Sequence, residues 1–314
     1  MTTVLITGTG ANIGYGAVRL FKSLKQNIRV IATDINADAV GQHWADAFHQ
    51  VPLTASKDYS ALISSLIQRY KIKLIVPCIE QDVAHFNSNR HVYGAPVVLN
   101  NPKLIKLCAD KWEFNQHLAS IHPEMAILSS MQPLPDYPFL LKPRIGYAGK
   151  GQFRVRNLAD LKTLRPLLGD THFAQRLVGS DDEEFTVATY GDGDGGSCAA
   201  IVMRRTLAPD GSTKSARVER NAKIEEAVDR LTASFKPYGP TNFQFRIDEN
   251  LPLLLEINPR LSSTLSLRAA FGFNDCEMIV QHYLKNRLPE APTIRSGFGI
   301  RYTEDLIVSI SDNF

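Results

Sequence analysis

Cysteine is scarce in this chain and widely spaced. Four cysteines occur in 314 residues, and no two of them form a CxxC pair. Zinc sites and disulfide frameworks need closely spaced pairs, so neither is expected. Isolated buried thiols are typical of a reducing compartment, which predicts a cytoplasmic protein. The four residues are Cys78, Cys108, Cys198 and Cys276.

Long hydrophobic runs and an excess of one charge are also lacking. Apolar stretches such as 74–76 and 198–203 are far shorter than the roughly 18 residues that span a bilayer. The first basic residue is Arg19, so the pattern of a secretory signal is missing. The balance of 35 Lys and Arg against 32 Asp and Glu predicts neither a nucleic-acid partner nor a membrane-surface partner.

The remaining composition is that of a folded protein, with 44% hydrophobic and 21% charged residues. The length predicts two or three compact units. The first hundred residues alternate short apolar runs with helical stripes, which predicts a parallel, doubly wound α/β sheet. The predicted strands are Val4–Ile6, Arg29–Thr33, Leu74–Cys78 and Pro96–Leu99.

Beyond residue 100 the pattern changes to α+β. Asn101 and Pro102 begin a helix as cap and first residue. Three prolines between Met131 and Pro138 indicate a connector into a new unit. The strands predicted after it are 139–142, 173–177, 184–190, 197–203, 242–247 and 252–257, with helices at 157–168 and 224–235.

A glycine-rich turn follows the first strand, at Thr7–Gly14, and Asp34 follows the second. Such a turn can hold a dinucleotide at a helix N-terminus, with the acid on a ribose. The third glycine of that fingerprint is displaced, because Ile13 occupies its place and Gly14 comes one residue later. We therefore favour a tight strand–helix turn that binds no nucleotide.

A second glycine-rich segment, Gly191–Gly196, contains two alternating aspartates, as a calcium loop does. Counted from Asp192, the fifth and twelfth ligand positions fall on Gly196 and Met203, which offer no side-chain oxygen. A hairpin turn between strands is the better interpretation.

A third segment, Lys142–Gly151, combines a strand lysine with three glycines and two further basic residues. Backbone N–H groups of such a loop can close on phosphate oxygens while the lysine supplies charge. The GK[ST] ending of a Walker A loop is missing. A solvated basic hairpin is an equally good interpretation of this segment taken alone.

The most informative segment is Glu256–Arg260. Side chains alternate along a strand, so Glu256 and Asn258 share one face while Leu255 and Ile257 face the core. If residues 248–252 form a turn, Gln244 lies opposite Glu256 in an antiparallel hairpin. Amide and carboxylate oxygens on one surface suit Mg²⁺ with substrate phosphates. The alternative is a polar sheet face with a surface ion pair.

These segments together resemble the ATP-grasp superfamily, especially one synthetase unit of the carbamoyl phosphate synthetase large subunit, with biotin carboxylase as kin. The resemblance covers most of the chain in order. It rests on Asp110-Lys111, Leu141-Lys142-Pro143, Gly146–Gly151, Gln175–Gly179, Glu184–Val187, Gly239–Phe245 and Leu255–Arg260.

The resemblance implies an ATP-grasp fold behind a Rossmann-like pre-ATP-grasp domain, with ranges 1–109, 110–190 (small lid subdomain) and 191–314 (large subdomain). It implies ATP and Mg²⁺ (or Mn²⁺) as cofactors. The implied ATP ligands are Lys111, Lys142, the lid glycines Gly146, Gly149 and Gly151, the hinge Gln175, Arg176, Leu177 and Val178, and a ribose ligand that is Glu183 or Glu184. The implied metal ligands are Gln244, Glu256 and Asn258, and the implied catalytic residues are Arg260 and Lys142.

The implied activity joins a small carboxylate to an amine or related nucleophile through an acylphosphate. Candidate carboxylate binders are Arg204, Arg205, Arg217 and Arg268, although the last two could equally be surface cations. Relatives of this size often form homodimers. Two other functions stay open, namely an NAD(P)-dependent oxidoreductase that uses the Gly8–Gly14 turn and a nucleotide-binding regulator without catalysis.

Overall fold

The N-terminal part of the chain is a parallel α/β layer. A computed structural model describes residues 1–146, 149–180, 184–209 and 211–308. The first sheet has the order β3-β2-β1-β4, and all of its pairings are parallel. Its elements are β1 (Thr2–Thr7), α1 (Asn12–Ser23), β2 (Ile28–Asp34), a 3₁₀ turn (Val40–Trp44), β3 (Ala47–Gln50), α2 (Tyr59–Tyr70), β4 (Leu74–Pro77) and α3 (Glu80–Ser88).

Two capped helices lead from this layer into the rest of the chain, α4 (Pro102–Cys108) and α5 (Lys111–Ile121). The side chain of Asn101 accepts from the backbone N–H of α4, and that of Asp110 does the same for α5. Each cap satisfies backbone donors that a helix leaves unpaired at its start. Lys111 is thereby fixed as the first residue of its helix.

A small antiparallel sheet follows, with the order β5-β8-β6-β7. Its elements are β5 (Ser129–Ser130), β6 (Phe139–Pro143), β7 (Phe153–Val155), α6 (Leu158–Leu164), a 3₁₀ turn (Arg165–Leu167) and β8 (His172–Arg176). Its own apolar cluster includes Phe139, Leu141 and Val155.

A six-stranded sheet of order β13-β12-β9-β10-β11-β14 completes the fold, and all of its pairings are antiparallel. Its elements are β9 (Glu184–Asp192), β10 (Ser197–Leu207), β11 (Thr213–Val218), α7 (Ala222–Phe235), β12 (Tyr238–Asp248), β13 (Leu251–Asn258), α8 (Leu265–Ala270), α9 (Asp275–Ile279), a π-helix (Val280–Leu284) and β14 (Phe298–Ile300).

One hydrophobic core joins the parallel layer to the large sheet. Val4 and Ala17 of the N-terminal layer lie in the same buried cluster as Tyr190 and Ile201 of the large sheet. On the other face, α7 packs with Phe243 and Phe245 of β12 and with helix α5. The large sheet is therefore covered on both faces, which fixes its position relative to the N-terminal layer.

The predicted order of strands and helices is confirmed, with local corrections. The strand expected at Pro96–Leu99 is reduced to an isolated bridge between Ile75 and Val97. The helix expected over 157–168 changes to a 3₁₀ turn at Arg165, next to Pro166, which has no N–H to continue an α-helix. The sequence analysis missed the short strands Ala47–Gln50, Thr213–Val218 and Phe298–Ile300 and the helix Glu80–Ser88.

The predicted domain ranges stay predictions, although the sheets divide at a different place. β9 begins at Glu184 and pairs with β10 and β12, so it belongs to the large sheet. The range 110–190 would have grouped it with the small sheet.

The hairpin of β12 and β13 reaches the predicted pairing by an unexpected route. Asp248 pairs with Leu251, so the turn is only Glu249-Asn250, and both residues have positive φ, of 46° and 68°. That is the geometry of a two-residue type I′ turn. The five-residue turn expected over 248–252 is therefore wrong.

A one-residue bulge restores the register. Phe245 pairs with Leu254, whereas Gln244 pairs with Glu256, so Leu255 is the extra residue. Leu254 is fully buried, and Leu255 packs on a small satellite cluster instead of the core position predicted for it. Without the bulge, Leu255 would oppose Gln244 and Glu256 would turn to the buried face.

The turn offers a direct test of this hairpin. Glu249→Gly should raise the free energy of unfolding by about 0.5–1 kcal/mol, because a left-handed conformation costs a non-glycine residue about 1–2 kcal/mol and the freedom of glycine when unfolded offsets part of the gain. Asn250→Val should lower it, since a β-branched residue tolerates positive φ poorly. Urea denaturation of both variants measures the two shifts, and equal shifts of one sign would contradict a type I′ turn.

Candidate functional site

The three predicted metal ligands lie together on one face of the hairpin. Gln244 pairs with Glu256 across the two strands, and Asn258 lies two residues further along the same face. The Asn258 Nδ2 donates to Glu256 Oε1 at 2.9 Å. The predicted convergence of an amide, an acid and an asparagine on one face is observed, while their role as ligands stays a prediction.

Glu256 is held as a carboxylate. Burial by itself would raise its pKa, but Lys111, the hydrogen bond from Asn258, Lys142 and Arg260 together lower the pKa to about 2. Lys111 Nζ lies 3.7 Å from Glu256 Oε2. The acid is therefore ionised at neutral pH, as a hard cation requires.

Gln244 is tied to a buried arginine. Its Oε1 accepts a hydrogen bond from Arg205 Nη2 at 2.9 Å. Arg205, which is 6% exposed, extends from β10, on the far side of β9 from Gln244, and also contacts Glu184. The sequence analysis missed this arginine at the side-chain oxygen of a predicted metal ligand, since it considered Arg205 only as a carboxylate binder.

Glu184 is the centre of a buried ion cluster. Its Oε1 accepts from Arg205 Nε and Nη2 at 3.1 and 2.5 Å, and its Oε2 accepts from Arg246 Nε and Nη2 at 3.1 and 3.0 Å. Both arginines are its direct neighbours across the strands. A ribose would have to compete for these oxygens, so the ribose role of Glu184 stays a prediction. Glu183 lies outside the described residues.

Lys142 is a buried residue of the site. It extends from β6, is 6% exposed, and its Nζ donates to Gln175 Oε1 at 3.0 Å. Gln175 is buried and donates through Nε2 to Asn115 and Ser129. Its side chain therefore orients Lys142, while its predicted part in the adenine hinge stays a prediction.

Burial lowers the pKa of Lys142 to about 8. Lys111 and Arg246 add to this effect, while Glu256 and Glu184 oppose it. A buried lysine with a lowered pKa favours the binding of an anion, because the anion offsets the cost of desolvating the lysine charge.

Lys111 connects the glycine-rich loop to the hairpin face that carries Gln244, Glu256 and Asn258. Its Nζ donates to the carbonyl of Gly146 at 2.8 Å, and its backbone N–H donates to the carbonyl of Arg144 at the same distance. Gly149 and Gly151 have φ of 65° and 74°, which other residues adopt at a cost. Tyr147 and Ala148, between Gly146 and Gly149, lie outside the described residues.

The predicted hinge joins the small sheet to the large one. Arg176 forms an ion pair with Asp248 at 2.9 Å, and the Gly179 N–H donates to Asp248 Oδ1. The carbonyl of Val178 accepts from Arg246 Nη1 at 3.4 Å. Leu177 lies between these contacts and is partly buried. The segment thus lies beside the Glu184 cluster, at the end of the hairpin face that carries Arg246.

Arg260 lies at the opposite end of that face. Its Nη2 donates to Asn258 Oδ1 at 3.1 Å and also to Glu80 Oε1, and its Nη1 donates to the carbonyl of Leu261 at 2.6 Å. Glu80 is the first residue of α3, directly after the parallel strand β4. The N-terminal layer therefore supplies an acid that the sequence analysis missed.

The site as a whole carries an excess of positive charge. The cations that surround it are Lys111, Lys142, Arg205, Arg246 and Arg260, against the carboxylates of Glu80, Glu184 and Glu256. An imbalance of two charges in a partly buried site favours a polyanion, and a triphosphate with one divalent cation fits it. The donor set of one carboxylate and two amides fits Mg²⁺ that keeps phosphate ligands. Within the described ranges, no group of three His, Cys, Asp or Glu is placed to hold a metal.

The other arginines predicted as carboxylate binders have different surroundings. Arg217 is exposed and its guanidinium lies 5.6 Å from the ring centroid of Phe298. Arg204 lies 4.0 Å from Glu219. Arg268 is 1% exposed and forms a buried ion pair with Asp275, so its interpretation as a surface cation is wrong.

In each of the two glycine-rich turns outside this site, the backbone N–H groups donate to an aspartate side chain. The Gly10 N–H donates to Asp34 Oδ2 at 2.7 Å, so a carboxylate already lies where a dinucleotide phosphate would bind. A Cβ on Gly14 would lie 2.0 Å from the Gly8 carbonyl oxygen, which explains this glycine by close packing. Asp192 Oδ1 accepts from three backbone N–H groups of the 191–196 segment, as the predicted hairpin turn requires.

No helix in the described part of the chain is both long and apolar enough to cross a membrane.

Comparison with known proteins identifies two regions. Residues 180–306 match the family described as ATP-grasp in the biosynthetic pathway with Ter operon, and residues 4–98 match the PylC-like N-terminal domain. None of the curated proteins compared with the chain matches it.

Several solved structures share the fold over most of the chain. N5-carboxyaminoimidazole synthetase from Staphylococcus aureus, complexed with ADP, is 19% identical with a TM-score of 0.73, covering 93% of this chain and 80% of that one. The biotin carboxylase domain of 2-oxoglutarate carboxylase from Hydrogenobacter thermophilus, complexed with MgADP, ADP and bicarbonate, is 16% identical with a TM-score of 0.70, covering 95% and 73%. L-amino acid ligase from Bacillus licheniformis is 15% identical with a TM-score of 0.65, covering 92% and 75%.

The buried lysine gives a test of the site that needs no ligand. Because its pKa is about 8 when folded against an ordinary 10.5, the unfolded chain binds more protons between these pH values. The free energy of unfolding should therefore rise with pH in this window, relative to that of Lys142→Met, by on the order of 3 kcal/mol at most. Urea denaturation at pH 7 to 10 measures the difference.

Lys142→Arg is the matched control, because arginine keeps its charge over the whole window. Its free energy of unfolding relative to Lys142→Met should not change with pH. Parallel pH profiles of the unmodified protein and Lys142→Met would show that the lysine is not held at a lowered pKa.

Proposed function

Since the chain carries an ATP-grasp domain behind a PylC-like N-terminal domain, we propose that it is an ATP-dependent ligase that joins a small carboxylate, such as an amino acid, to an amine or related nucleophile through an acylphosphate. The observation that carries this proposal is the shared face of Gln244, Glu256 and Asn258 beside Lys111 and Arg260. ATP and Mg²⁺ are the cofactors that such a face suits.

The cations of the site would bind the triphosphate. Lys111 and Lys142 approach from the lid side, and the Gly146–Gly151 loop would cover the phosphates and exclude water that hydrolyses an acylphosphate. The hinge residues Arg176, Leu177 and Val178 would present backbone groups to adenine. Either Glu183 or Glu184 would hold the ribose.

Gln244, Glu256 and Asn258 would hold Mg²⁺, or Mn²⁺ in its place. The ion would neutralise charge on the β- and γ-phosphates when bound. Because Glu256 is already ionised, it needs no proton release to accept a cation.

Arg260 would stabilise the phosphoryl group during transfer. A carboxylate oxygen of the substrate attacks the γ-phosphorus, the bond to ADP breaks, and the acylphosphate forms. The amine nitrogen then attacks the acyl carbon, phosphate leaves with the bonding electrons, and the amine gives up a proton. Glu80 of the N-terminal layer contacts Arg260 and would therefore lie close to the transferring group.

We also propose a cytoplasmic location and a homodimer, and that no nucleic acid or membrane takes part. The spaced free cysteines support the location and the balanced charge supports the lack of nucleic-acid and membrane partners. The homodimer is what the resemblance to relatives of this size implies. Size-exclusion chromatography with light scattering measures the oligomeric state.

A phosphate-release screen tests the proposed activity. The protein is incubated with ATP, Mg²⁺ and pairs of amino acids or other small carboxylates and amines. We expect release that depends on a carboxylate and stops when EDTA removes the metal. If none of the carboxylates tried causes phosphate release, this result would count against a ligase.

The role of Arg260 has its own test. Arg260→Ala should lower kcat/KM by about 10²–10³-fold, since losing one donor to the developing charge costs roughly 3–4 kcal/mol. Arg220→Ala is the control, because Arg220 is 89% exposed and its ion pair is with Glu225, away from the proposed site. Full activity in a folded Arg260→Ala protein would rule out the role assigned to this residue.

A further inference from the structure

A network of buried polar side chains adjoins the hairpin face that carries Gln244, Glu256 and Asn258. Arg268 is 1% exposed, and its Nε and Nη2 donate to the two oxygens of Asp275 at 2.7 and 2.8 Å. Its Nη1 donates to the hydroxyls of Ser262 and Thr264 at 2.6 and 2.8 Å. The arginine therefore fixes the segment that directly follows Arg260.

This network determines the orientation of the Asn242 side-chain amide. Because an arginine nitrogen only donates, Ser262 accepts from Arg268 and has its own proton left to give. Ser262 Oγ gives it to Asn242 Oδ1 at 3.0 Å, and Thr186 Oγ1 donates to the same oxygen at 2.8 Å. Two hydroxyl donors on Oδ1 hold the amide of Asn242 in one orientation.

The other end of that amide is left without a partner. Asn242 is 1% exposed, and its Nδ2 has no hydrogen-bond partner among the residues that the structure describes. A buried N–H group without a partner destabilises the fold. Such groups are few in folded proteins and call for an explanation, which a bound ligand can supply.

The strand register gives the place of this donor along the site. Asn242 pairs with Asn258 and lies two residues from Gln244, on the same face of β12. Arg246, at the other end of that face, contacts the hinge carbonyl of Val178. Asn242 therefore lies beside Asn258, at the end of this face nearer Arg260 and away from the predicted adenine end.

We propose that Asn242 is a further binding residue, whose Nδ2 donates to an oxygen of the γ-phosphoryl group, and that Arg268 is a positioning residue which acts through Ser262. This inference rests on the proposed function, because it needs a triphosphate in the site. It adds a contact that neither the sequence motifs nor the metal ligands supply.

Nucleotide binding separates this contact from a general loss of folding. Affinities for MgADP and for the Mg²⁺ complex of the non-hydrolysable imido analogue of ATP are measured by calorimetry. In Asn242→Ala, affinity for the triphosphate should fall at least about 10-fold while affinity for MgADP changes less than about 2-fold, since a hydrogen bond to a charged group contributes about 1.5–3 kcal/mol. Asn242→Asp should show the same selective loss, because it replaces the donor with a negative oxygen.

Ser262→Ala and Ser262→Thr form a matched pair for the positioning role. The alanine variant removes the hydroxyl that orients Asn242 and should lower the ratio of triphosphate to diphosphate affinity by about 3- to 10-fold. The threonine variant keeps the hydroxyl and should keep the ratio. A merely structural role would lower the melting temperature of both variants without changing that ratio.

Three results decide the matter. A selective loss of triphosphate affinity in Asn242→Ala or Asn242→Asp supports the inference, whichever of the two folds. An unchanged affinity ratio in a folded variant, together with an unchanged ratio in Ser262→Ala, overturns it. An unmodified protein that binds neither nucleotide overturns the proposed function and this inference with it, whereas the second result overturns the inference alone.

Discussion

The pairing of β12 with β13 is the constraint on which the site depends. A two-residue turn and a one-residue bulge together bring Gln244 opposite Glu256 on the polar face. A shift of one residue in this pairing would exchange the polar and apolar faces of β13. Phe243 and Phe245 are fully buried against α7, so the core holds the register that presents the acid.

Charge explains why these polar residues can coexist without a ligand. Each strongly buried cation has a protein partner, as Arg205 and Arg246 have in Glu184 and Lys142 has in Gln175. Removing Glu184 would leave two buried arginines without their counter-charge, which is far more costly than the cluster itself. The site is therefore ordered in advance, and a bound polyanion would exchange these contacts for stronger ones without creating new order.

Local sequence predicted the part of the site that lies on one hairpin, and outside the site it predicted one helix start. Alternation along β12 and β13 gave the shared face of Gln244 and Glu256, and the asparagine–proline pair gave the start of α4. Glu80 could not be found this way, because it lies 180 residues before its partner Arg260 and only the tertiary fold joins them. The best available signal was its position directly after a buried parallel strand, where ligands of α/β sheets bind.

The bulge and the arginine cluster escaped prediction for a different reason. A bulge changes which residue faces the core without changing the apolar pattern, since Leu253, Leu254 and Leu255 are chemically alike. Arg205 and Arg246 were equally hidden, because a cation on a strand is usually exposed, and only the register that places both beside Glu184 makes them internal.

The N-terminal layer contributes to the site through the shared core as well as through Glu80. A Cβ on Gly16 of α1 would lie 2.7 Å from Ser266 Oγ of α8, so the two helices pack closely. Helix α8 carries Arg268, which holds the segment after Arg260 through Ser262 and Thr264. The packing of the N-terminal layer is therefore transmitted to the end of the site where the reacting groups would meet, and the orientation of Asn242 depends on it.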